Sequence, residues 1–182
     1  DNQKILLRDK FLNKTLDLDQ ESVYQFEITS ETASYGTERF ELIVTQEVQF
    51  TIDSKDVYSN TFARIPVTVS NFKSILASQF SLSWDESVLS FAGVNSFGLS
   101  SVTEAHFNQP DPGSLSFVWD QQDLNPQSLA DGDTLFVMEF EVTGTTDVIT
   151  SIALPGTTVS PEVIGDGLVT LASAFHAGEI TI

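Results

Sequence analysis

Alternation of apolar and polar residues runs through this 182-residue chain and constrains its fold more than any other feature. Successive side chains of a β-strand point to opposite faces, so alternation predicts strands with one face on a core and one toward water. After position 46 the apolar members of five such segments are Val48, Phe50 and Ile52; Ile65, Val67 and Val69; Phe80, Leu82 and Trp84; Leu115, Phe117 and Trp119; and Phe136, Met138, Phe140 and Val142. A last strand is expected near residues 175–182.

Short runs rich in Gly, Pro, Asn and Asp separate these segments and predict turns. They are Asn71, Gly93, Asp111-Pro112-Gly113, Asp131-Gly132-Asp133, Gly144, Pro155-Gly156 and Gly165-Asp166-Gly167. No long amphipathic helix is expected, and residues 99–107 are interpreted as a short helix or an irregular crossing. Many short strands joined by such turns predict an all-β sandwich or barrel.

Residues 1–46 form a separate group of about three predicted strands. Their apolar positions are Ile5 to Leu7 continuing toward Leu16, then Tyr24, Phe26 and Ile28, then Phe40, Leu42 and Val44. Three strands make a small sheet and rarely a full core. This part carries 9 acidic and 5 basic residues, whereas residues 47–182 carry 17 acidic and 3 basic. The change in charge predicts a domain boundary near Gln46.

The acidic balance of the chain restricts its partners. The formal net charge is −18, and such a surface repels phosphate backbones and anionic membranes. Nucleic-acid binding and membrane insertion are therefore not expected, while calcium or a basic protein patch would be electrostatically suited. The chain has no cysteine, which excludes disulfides, thiolate metal sites and cysteine nucleophiles.

Catalytic residues are not expected. The two histidines, His106 and His176, accompany no Gly-x-Ser-x-Gly elbow, and Ser-His-Asp chemistry needs such an activated serine. Paired carboxylates can hydrolyse glycosides, and the candidate pairs are Asp120 with Asp123 and Glu139 with Glu141. The second pair faces outward on a regular predicted strand, so it is interpreted as a solvated face.

Four aspartates in one loop suggest the only candidate metal site. Calcium binds six to eight oxygen atoms, and clustered loop aspartates commonly supply them. The four are Asp120, Asp123, Asp131 and Asp133. Their spacing differs from that of an EF-hand, and Asp131-Gly132-Asp133 also fits an ordinary turn before a strand. No other cofactor is expected.

The order of features in residues 47–182 resembles the cohesin family. The resemblance lies in Ile65-Pro66-Val67-Thr68-Val69, in the stretch from Phe80 through Trp84-Asp85 to Val88-Leu89, and in Phe175, Gly178, Ile180 and Ile182 near the end. It implies a nine-strand jelly-roll β-sandwich. An Asp that begins a tight connection accepts hydrogen bonds from backbone N–H groups just after it, so Trp84 and Asp85 are interpreted as a structural turn.

The resemblance also implies a protein-binding face. Well-studied cohesins carry an Asn and an Asp for dockerin contact on the strand before this turn, and the matching residues here are Ala77 and Gln79. Dockerin binding of the usual kind is therefore not expected. Alternation places six residues on the candidate face: Ala77, Gln79, Ser81, Ser83, Ser114 and Ser116.

Residues 1–46 resemble the closing strands of a β-domain of Bacteroidetes surface proteins. The shared motif is a Tyr-x-Phe strand followed by a turn and an Arg-Phe-x-Leu strand, here Tyr24, Phe26, Arg39, Phe40 and Leu42. The resemblance implies that this segment is the tail of a preceding β-domain. It also implies a large cell-surface or secreted protein, exported by the type IX route.

Two functions remain open at this point, with a third as the alternative. The chain is expected to be a non-catalytic extracellular module that either binds a protein or acts as a structural spacer. The alternative is a carbohydrate-binding module of related fold, with a polysaccharide as partner. Trp84 and Trp119 sit on the core side of their strands, and Tyr58 lies in a Ser/Asn-rich loop, so no flat aromatic platform for sugars is evident.

Overall fold

The computed structural model describes residues 3–18, 23–154 and 158–182. The chain divides into two compact units, the N-terminal unit Asp1–Glu47 and the C-terminal unit Val48–Ile182. Regular structure in the described residues consists of β-strands and three short 3-10 helices. None of these helices has the length and apolar character needed to cross a membrane.

Fourteen strands are found in the described residues. They are β1 (Gln3–Asp9), β2 (Lys14–Asp17), β3 (Phe40–Ile52), β4 (Lys55–Asp56), β5 (Phe62–Ser70), β6 (Ile75–Ser83), β7 (Leu89–Asn95), β8 (Phe107–Asn108), β9 (Ser114–Asp120), β10 (Thr134–Val142), β11 (Ile149–Ile152), β12 (Glu162–Gly165), β13 (Val169–His176) and β14 (Gly178–Thr181). The 3-10 helices are Thr32–Ser34, Glu104–His106 and Asp166–Leu168.

The N-terminal unit contains a three-stranded sheet, but the strands differ from the expected ones, because the segment from Ile5 toward Leu16 forms two strands, β1 and β2. β1 pairs antiparallel with β2 on one side and with the first part of β3 on the other, so that Leu7 lies opposite both Leu16 and Leu42. The expectation of a strand at residues 24–28 is wrong. Tyr24 and Phe26 instead pack their rings on Phe40, at centroid distances of 6.3 and 4.8 Å, and no described strand lies beside them to form a ladder.

A buried ion pair lies at one end of this sheet. Asp9 is fully buried, and its carboxylate accepts hydrogen bonds from Arg39 Nη2 at 2.7 Å and from Arg39 Nε at 3.1 Å. The hydroxyl of Tyr24 donates to the same carboxylate at 2.9 Å, and Arg39 Nη1 donates to the carbonyl of Glu27 at 2.8 Å and to that of Ser34. Both charges are therefore paired and hydrogen-bonded, which is what burial of a charge requires.

The C-terminal unit is a curled sheet whose two halves face each other. Nine strands follow in the order β7-β10-β5-β3-β13-β12-β6-β9-β8, and a separate sheet has the order β11-β14-β4. The first four strands of the path form one layer, the last four form the other, and β13 joins them. This arrangement confirms the expected nine-strand jelly-roll sandwich.

The core lies between these layers. Phe80 and Phe117 of one layer contact Phe136 of the other, at ring centroid distances of 6.3 and 5.5 Å. The apolar positions of all five alternating segments are buried, as expected. Most outward positions of the strands are polar, small or exposed, whereas Leu135 and Val137 on the outward side of β10 are also buried.

The expected last strand is found as β14, and one expected turn is wrong. Ala177 separates β14 from β13, and the backbone at Gly178 lies so close to the chain after β3 that a Cβ there would clash with the carbonyl oxygen of Asp53. Gly93 does not form a turn but lies inside β7, where the register with β10 shifts by a bulge. Pro155-Gly156 lies outside the described residues.

The remaining turn signals and the uncertain segment fit the structure. Gly113, Gly132 and Gly167 have positive φ angles of 76, 87 and 71°, which glycine adopts without steric cost. Residues 99–107 include the 3-10 helix Glu104–His106. This segment is therefore an irregular crossing with one short helical turn.

Replacing Ser78 tests how much free energy the burial of an unpaired hydroxyl in the core costs. Its Oγ is buried on the inner side of β6 and has no hydrogen-bond partner among the described residues. Ser78→Ala is expected to raise the free energy of unfolding in urea by about 1 kcal/mol, because it removes an unpaired buried hydroxyl. Ser81→Ala on the same strand is the control and should lower it by about 1 kcal/mol, because the Ser81 hydroxyl is bonded. A loss of stability in Ser78→Ala would contradict the interpretation.

Replacing Arg39 tests the buried ion pair. Hydrogen bonds from the Arg39 guanidinium lower the pKa of Asp9 from its ordinary value of 3.8 to about 2. The pair therefore stabilises the N-terminal unit fully above about pH 4, and this contribution is lost as the pH falls through 2. Arg39→Met is expected to destabilise this unit by about 3–5 kcal/mol at pH 7, because the Asp9 carboxylate is left buried without its cation.

Limited proteolysis of residues 1–47 measures the effect of Arg39→Met. The control is Arg8→Met, which removes an exposed arginine of β1. Trp84 and Trp119 both lie in the C-terminal unit, so tryptophan fluorescence reports separately whether that unit stays folded. Equal protease resistance of Arg39→Met and the unaltered chain would show that the ion pair is dispensable.

Candidate functional site

The six residues expected on a binding face lie on one side of the pair formed by β6 and β9. The two strands are antiparallel neighbours, and directly opposite residues of such a pair share a face. The opposite pairs on this side are Ala77 with Asp120, Gln79 with Val118, Ser81 with Ser116, and Ser83 with Ser114. These eight residues are called the β6–β9 face below.

The two serines at the middle of the β6–β9 face are buried. Ser81 is 2% and Ser116 4% exposed, and their hydroxyl oxygens lie 3.1 Å apart. The backbone N–H of Val159 donates to Ser81 Oγ at 2.9 Å. The hydroxyls thus hold the chain beside β12 in place and offer little surface to a partner.

Gln79 holds the same stretch of chain. Its Nε2 donates to the carbonyl of Ser160 at 3.3 Å and lies 3.5 Å from a carboxylate oxygen of Glu162. Residues 158–161, called the strap below, therefore lie against the β6 side of the face. The surface open to a partner is shifted toward β9.

Val118 is the apolar centre of that open surface. It is 46% exposed on β9, between Ser116 and Asp120, and Leu124 is exposed in the loop that follows. The β6–β9 face carries no lysine or arginine. Val118 and Asp120 were not among the residues expected on this face, although the alternation that selects Ser114 and Ser116 continues to them.

The turn after β6 is built by Asp85. Its Oδ1 accepts the backbone N–H of Ser87 at 2.9 Å and the Ser87 hydroxyl at 2.6 Å. These bonds, the hydroxyl bond first, lower the pKa of Asp85, while desolvation opposes them. The buried Trp84 indole donates to the carbonyl of Leu89 at 2.8 Å, so the two sides of the turn are tied together.

Glu86 is a further structural residue of this turn, and it was not expected from the sequence. Its carboxylate accepts hydrogen bonds from Trp84 Nε1 at 3.2 Å, from the backbone N–H of Gly113 at 3.1 Å and from Ser90 Oγ at 3.2 Å. It connects the turn to the loop before β9. A lone glutamate in a turn gives no pattern by which sequence could have identified this role.

The four aspartates of the calcium hypothesis each accept a hydrogen bond within or near their own loop. Asp120 accepts from Gln122 Nε2, Asp123 from the N–H of Asn125, Asp131 from the N–H of Asn71, and Asp133 from the N–H of Ala130. In the described part of the chain, no three His, Cys, Asp or Glu side chains are grouped closely enough to hold a metal ion. The bonds of Asp120, Asp123 and Asp133 are local, Asp131 joins its loop to Asn71 across 60 residues, and the calcium site stays a prediction.

Calcium titration tests that prediction. A site in this loop requires that millimolar CaCl2 raise the melting temperature, because an ion that binds only the folded chain stabilises it. Asp123→Asn should abolish the rise if Asp123 is a ligand, and Asp166→Asn, an exposed aspartate outside the loop, is the control. An unchanged melting temperature at millimolar calcium would end the hypothesis.

Aromatic side chains that could stack on a sugar are few among the described residues of the C-terminal unit. Trp84 and Trp119 are both buried in the core. Tyr58 is 82% exposed, and Phe62, four residues later, is also exposed. Sugar binding, the alternative function, stays a prediction.

His106 and Glu139, two of the residues considered for catalysis, make contacts within the fold. His106 Nδ1 lies 3.0 Å from the backbone N of Thr103 and caps the 3-10 helix. Glu139 makes an ion pair with Arg64 at 3.2 Å. These contacts are structural.

Solved structures of other proteins share the fold of the C-terminal unit. The sixth cohesin of scaffoldin B from Acetivibrio cellulolyticus, in complex with a mutant Cel5 dockerin, is 13% identical, with a TM-score of 0.65 over 75% of this chain and 99% of that one. The seventh ScaB type I cohesin from Pseudobacteroides cellulosolvens is 18% identical, with a TM-score of 0.63 over 74% and 91%. A non-cellulosomal cohesin from the archaeon Archaeoglobus fulgidus is 20% identical, with a TM-score of 0.57 over 74% and 89%.

At these identities the structural likeness shows the fold alone. No curated protein sequence matches the chain. The family model described as "Cohesin domain" matches residues 48–182, which is most of the chain and coincides with the C-terminal unit. The chain therefore belongs to the cohesin family, whose modules are non-enzymatic and bind proteins.

Proposed function

We propose that the C-terminal unit binds a protein partner through the open part of the β6–β9 face. The observation that carries this proposal is Val118, a large apolar residue exposed at the centre of a sheet face whose neighbours are small or polar. A buried apolar anchor surrounded by polar contacts is the usual energetic centre of a protein interface. Solved cohesins of similar fold, including that of scaffoldin B, are bound to dockerins, which supports a protein as partner.

The chemistry of the face indicates a partner unlike the usual dockerin. Ala77 has no polar side chain, and the amide of Gln79 is engaged with the strap. Asp120 adds negative charge to the face, and the described residues of the face offer no cation. We therefore expect an apolar anchor with basic residues around it on the partner.

The setting of the module is also part of the proposal. We infer an extracellular or cell-surface location in a longer, multi-domain protein, supported by the family, the acidic composition and the resemblance of residues 1–46 to a surface-protein β-domain. A spacer role without a partner is the competing function. It is favoured by the burial of Ser81 and Ser116, which leaves much of the face without free polar groups.

A binding experiment with a variant of the β6–β9 face distinguishes a protein-binding module from a spacer. The 182-residue chain is immobilised and exposed to secreted and surface proteins of its source organism, and any captured protein is purified and titrated by calorimetry. Val118→Arg is expected to weaken binding at least about tenfold, because it places a bulky cation at the interface centre. Thr51→Arg, at an exposed position of β3 in the other layer, is the matched control and should bind normally.

Other outcomes would identify the competing functions. Absence of any captured protein would favour the spacer. Retention of the chain on an insoluble polysaccharide, lost in Tyr58→Ala and kept in Val118→Arg, would identify a carbohydrate-binding module. Equal capture by Val118→Arg and the unaltered chain would place the interface elsewhere. The Cel5 dockerin is expected not to bind at micromolar concentration.

A further inference from the structure

The nine-strand path of the C-terminal unit begins and ends at strands that each have a free edge. In the described residues β7 pairs only with β10, and β8 pairs only with β9. The backbone groups of residues 90–95 form no hydrogen bond with described residues besides those to β10. The other edge of β7 therefore presents unpaired N–H and C=O groups, which are a template for an added strand.

A cleft of about 390 Å3, called the β7 cleft below, lies along β7. Residues 91–95 line one side of it, and the segment that contains β8 lines the other. Its floor is apolar, because Val94 and Leu115 belong to the core and Phe107 packs against it. The polar side chains around this floor are those of Asn95, Glu104, Gln109 and Glu139.

Gly93 opens the β7 cleft to the backbone of its own strand. A Cβ at Gly93 would meet no atom within 4 Å, so the space beside this residue is open. A glycine inside a strand commonly marks a place where a ligand or another backbone approaches closely. The bulge at this position breaks the regular spacing of the edge. We therefore expect a short segment to pair with residues 93–95 and not a ladder along all of β7.

The charge of the β7 cleft favours a cation. Its lining contains two carboxylates, and no lysine, arginine or histidine is among the described residues that line it. Glu139 is paired with Arg64, whose Nε lies 3.2 Å away. The carboxylate of Glu104, in contrast, has no partner in the part of the chain that the structure describes. A free carboxylate beside an apolar floor suits a lysine or arginine, whose methylene stem packs on apolar surface while its charge meets the acid.

We propose that the β7 cleft binds an extended, basic peptide segment of a protein partner. Backbone groups of the segment pair with the free edge at residues 93–95, which is recognition by strand addition. An arginine or lysine of the segment enters the cleft, with its stem on Phe107 and its charge at Glu104. The inference goes beyond the proposed function, because the β7 cleft shares no residue with the β6–β9 face.

A neutral sugar is the less suitable occupant of this cleft. Its two rings, Phe91 and Phe107, are both half-buried and packed on other rings of the core. Phe91 lies 5.7 Å from Trp84, and Phe107 lies 4.8 Å from Phe136, measured between ring centroids. A sugar needs a flat, exposed aromatic face on which to stack, whereas a cation needs only the acid.

NMR titration of the 182-residue chain with a defined peptide tests the inference. The probe is a short, acetylated and amidated peptide that alternates arginine with valine, and the control peptide has glutamate in place of arginine. We expect the arginine peptide to shift the amide signals of residues 91–95 and 104–109 saturably, with a Kd below about 1 mM. The glutamate peptide should not shift them. Raising the NaCl concentration from about 0.05 to about 0.5 M should weaken the binding at least about threefold, because salt screens the ion pair.

Charge variants separate binding at the β7 cleft from general attraction to an acidic chain. Glu104→Gln is expected to raise the Kd at least about threefold, because it removes the free carboxylate, and Gln109→Glu should lower it about threefold. The matched control is Glu179→Gln, which removes an exposed glutamate of β14 and should leave the Kd unchanged. Val118→Arg should also leave it unchanged, so a failure of the proposed function is distinguished from a failure of this inference.

Three results would overturn the inference. The first is the absence of saturable shifts at residues 91–95 with the arginine peptide. The second is an equal effect of Glu104→Gln and Glu179→Gln on the Kd, which would show that the peptide is attracted only by the overall charge. The third is a shift of the same amides by a neutral cello-oligosaccharide and not by the arginine peptide, which would identify the cleft as a sugar site.

Discussion

Contact between phenylalanine rings across the two layers is the interaction on which the C-terminal unit depends. Phe136 of β10 touches Phe80, Phe107 and Phe117 of the opposite layer, at centroid distances between 4.8 and 6.3 Å. The period of a strand is two, so a shift of one residue would turn these rings to the outside. The same constraint decides the outer surface, because Gln79 faces outward only while Phe80 faces inward.

The N-terminal unit is organised by charge instead. Three strands bury little apolar area, and the Arg39 guanidinium replaces part of a core by lying over the rings of Phe11, Phe26 and Phe40 at 5.2, 4.6 and 5.0 Å. The buried carboxylate of Asp9 neutralises the charge of the Arg39 guanidinium. The buried ion pair of Asp9 and Arg39 holds the loop residues that bond to it in place. Among the described residues, the other end of the sheet has no such contacts.

Alternation predicted the strands and inner residues of the C-terminal unit because burial of one sheet face leaves a strictly local signature. It misassigned residues 24–28, where the pattern is present but the neighbouring strand is not. It also missed the break at Ala177 between β13 and β14. Ser81 was placed on the correct face, yet the strap that covers it comes from nearly 80 residues away, and no local pattern reports such contacts.

The last strand of the chain runs parallel to one of the first. Ile180 and Thr181 of β14 pair with Lys55 and Asp56 of β4, and Thr181 accepts a further bond from Val57. The polypeptide enters this pair at one end and leaves it at the other. A force that pulled β4 and β14 apart along their length would therefore load these hydrogen bonds together in shear instead of breaking them one at a time.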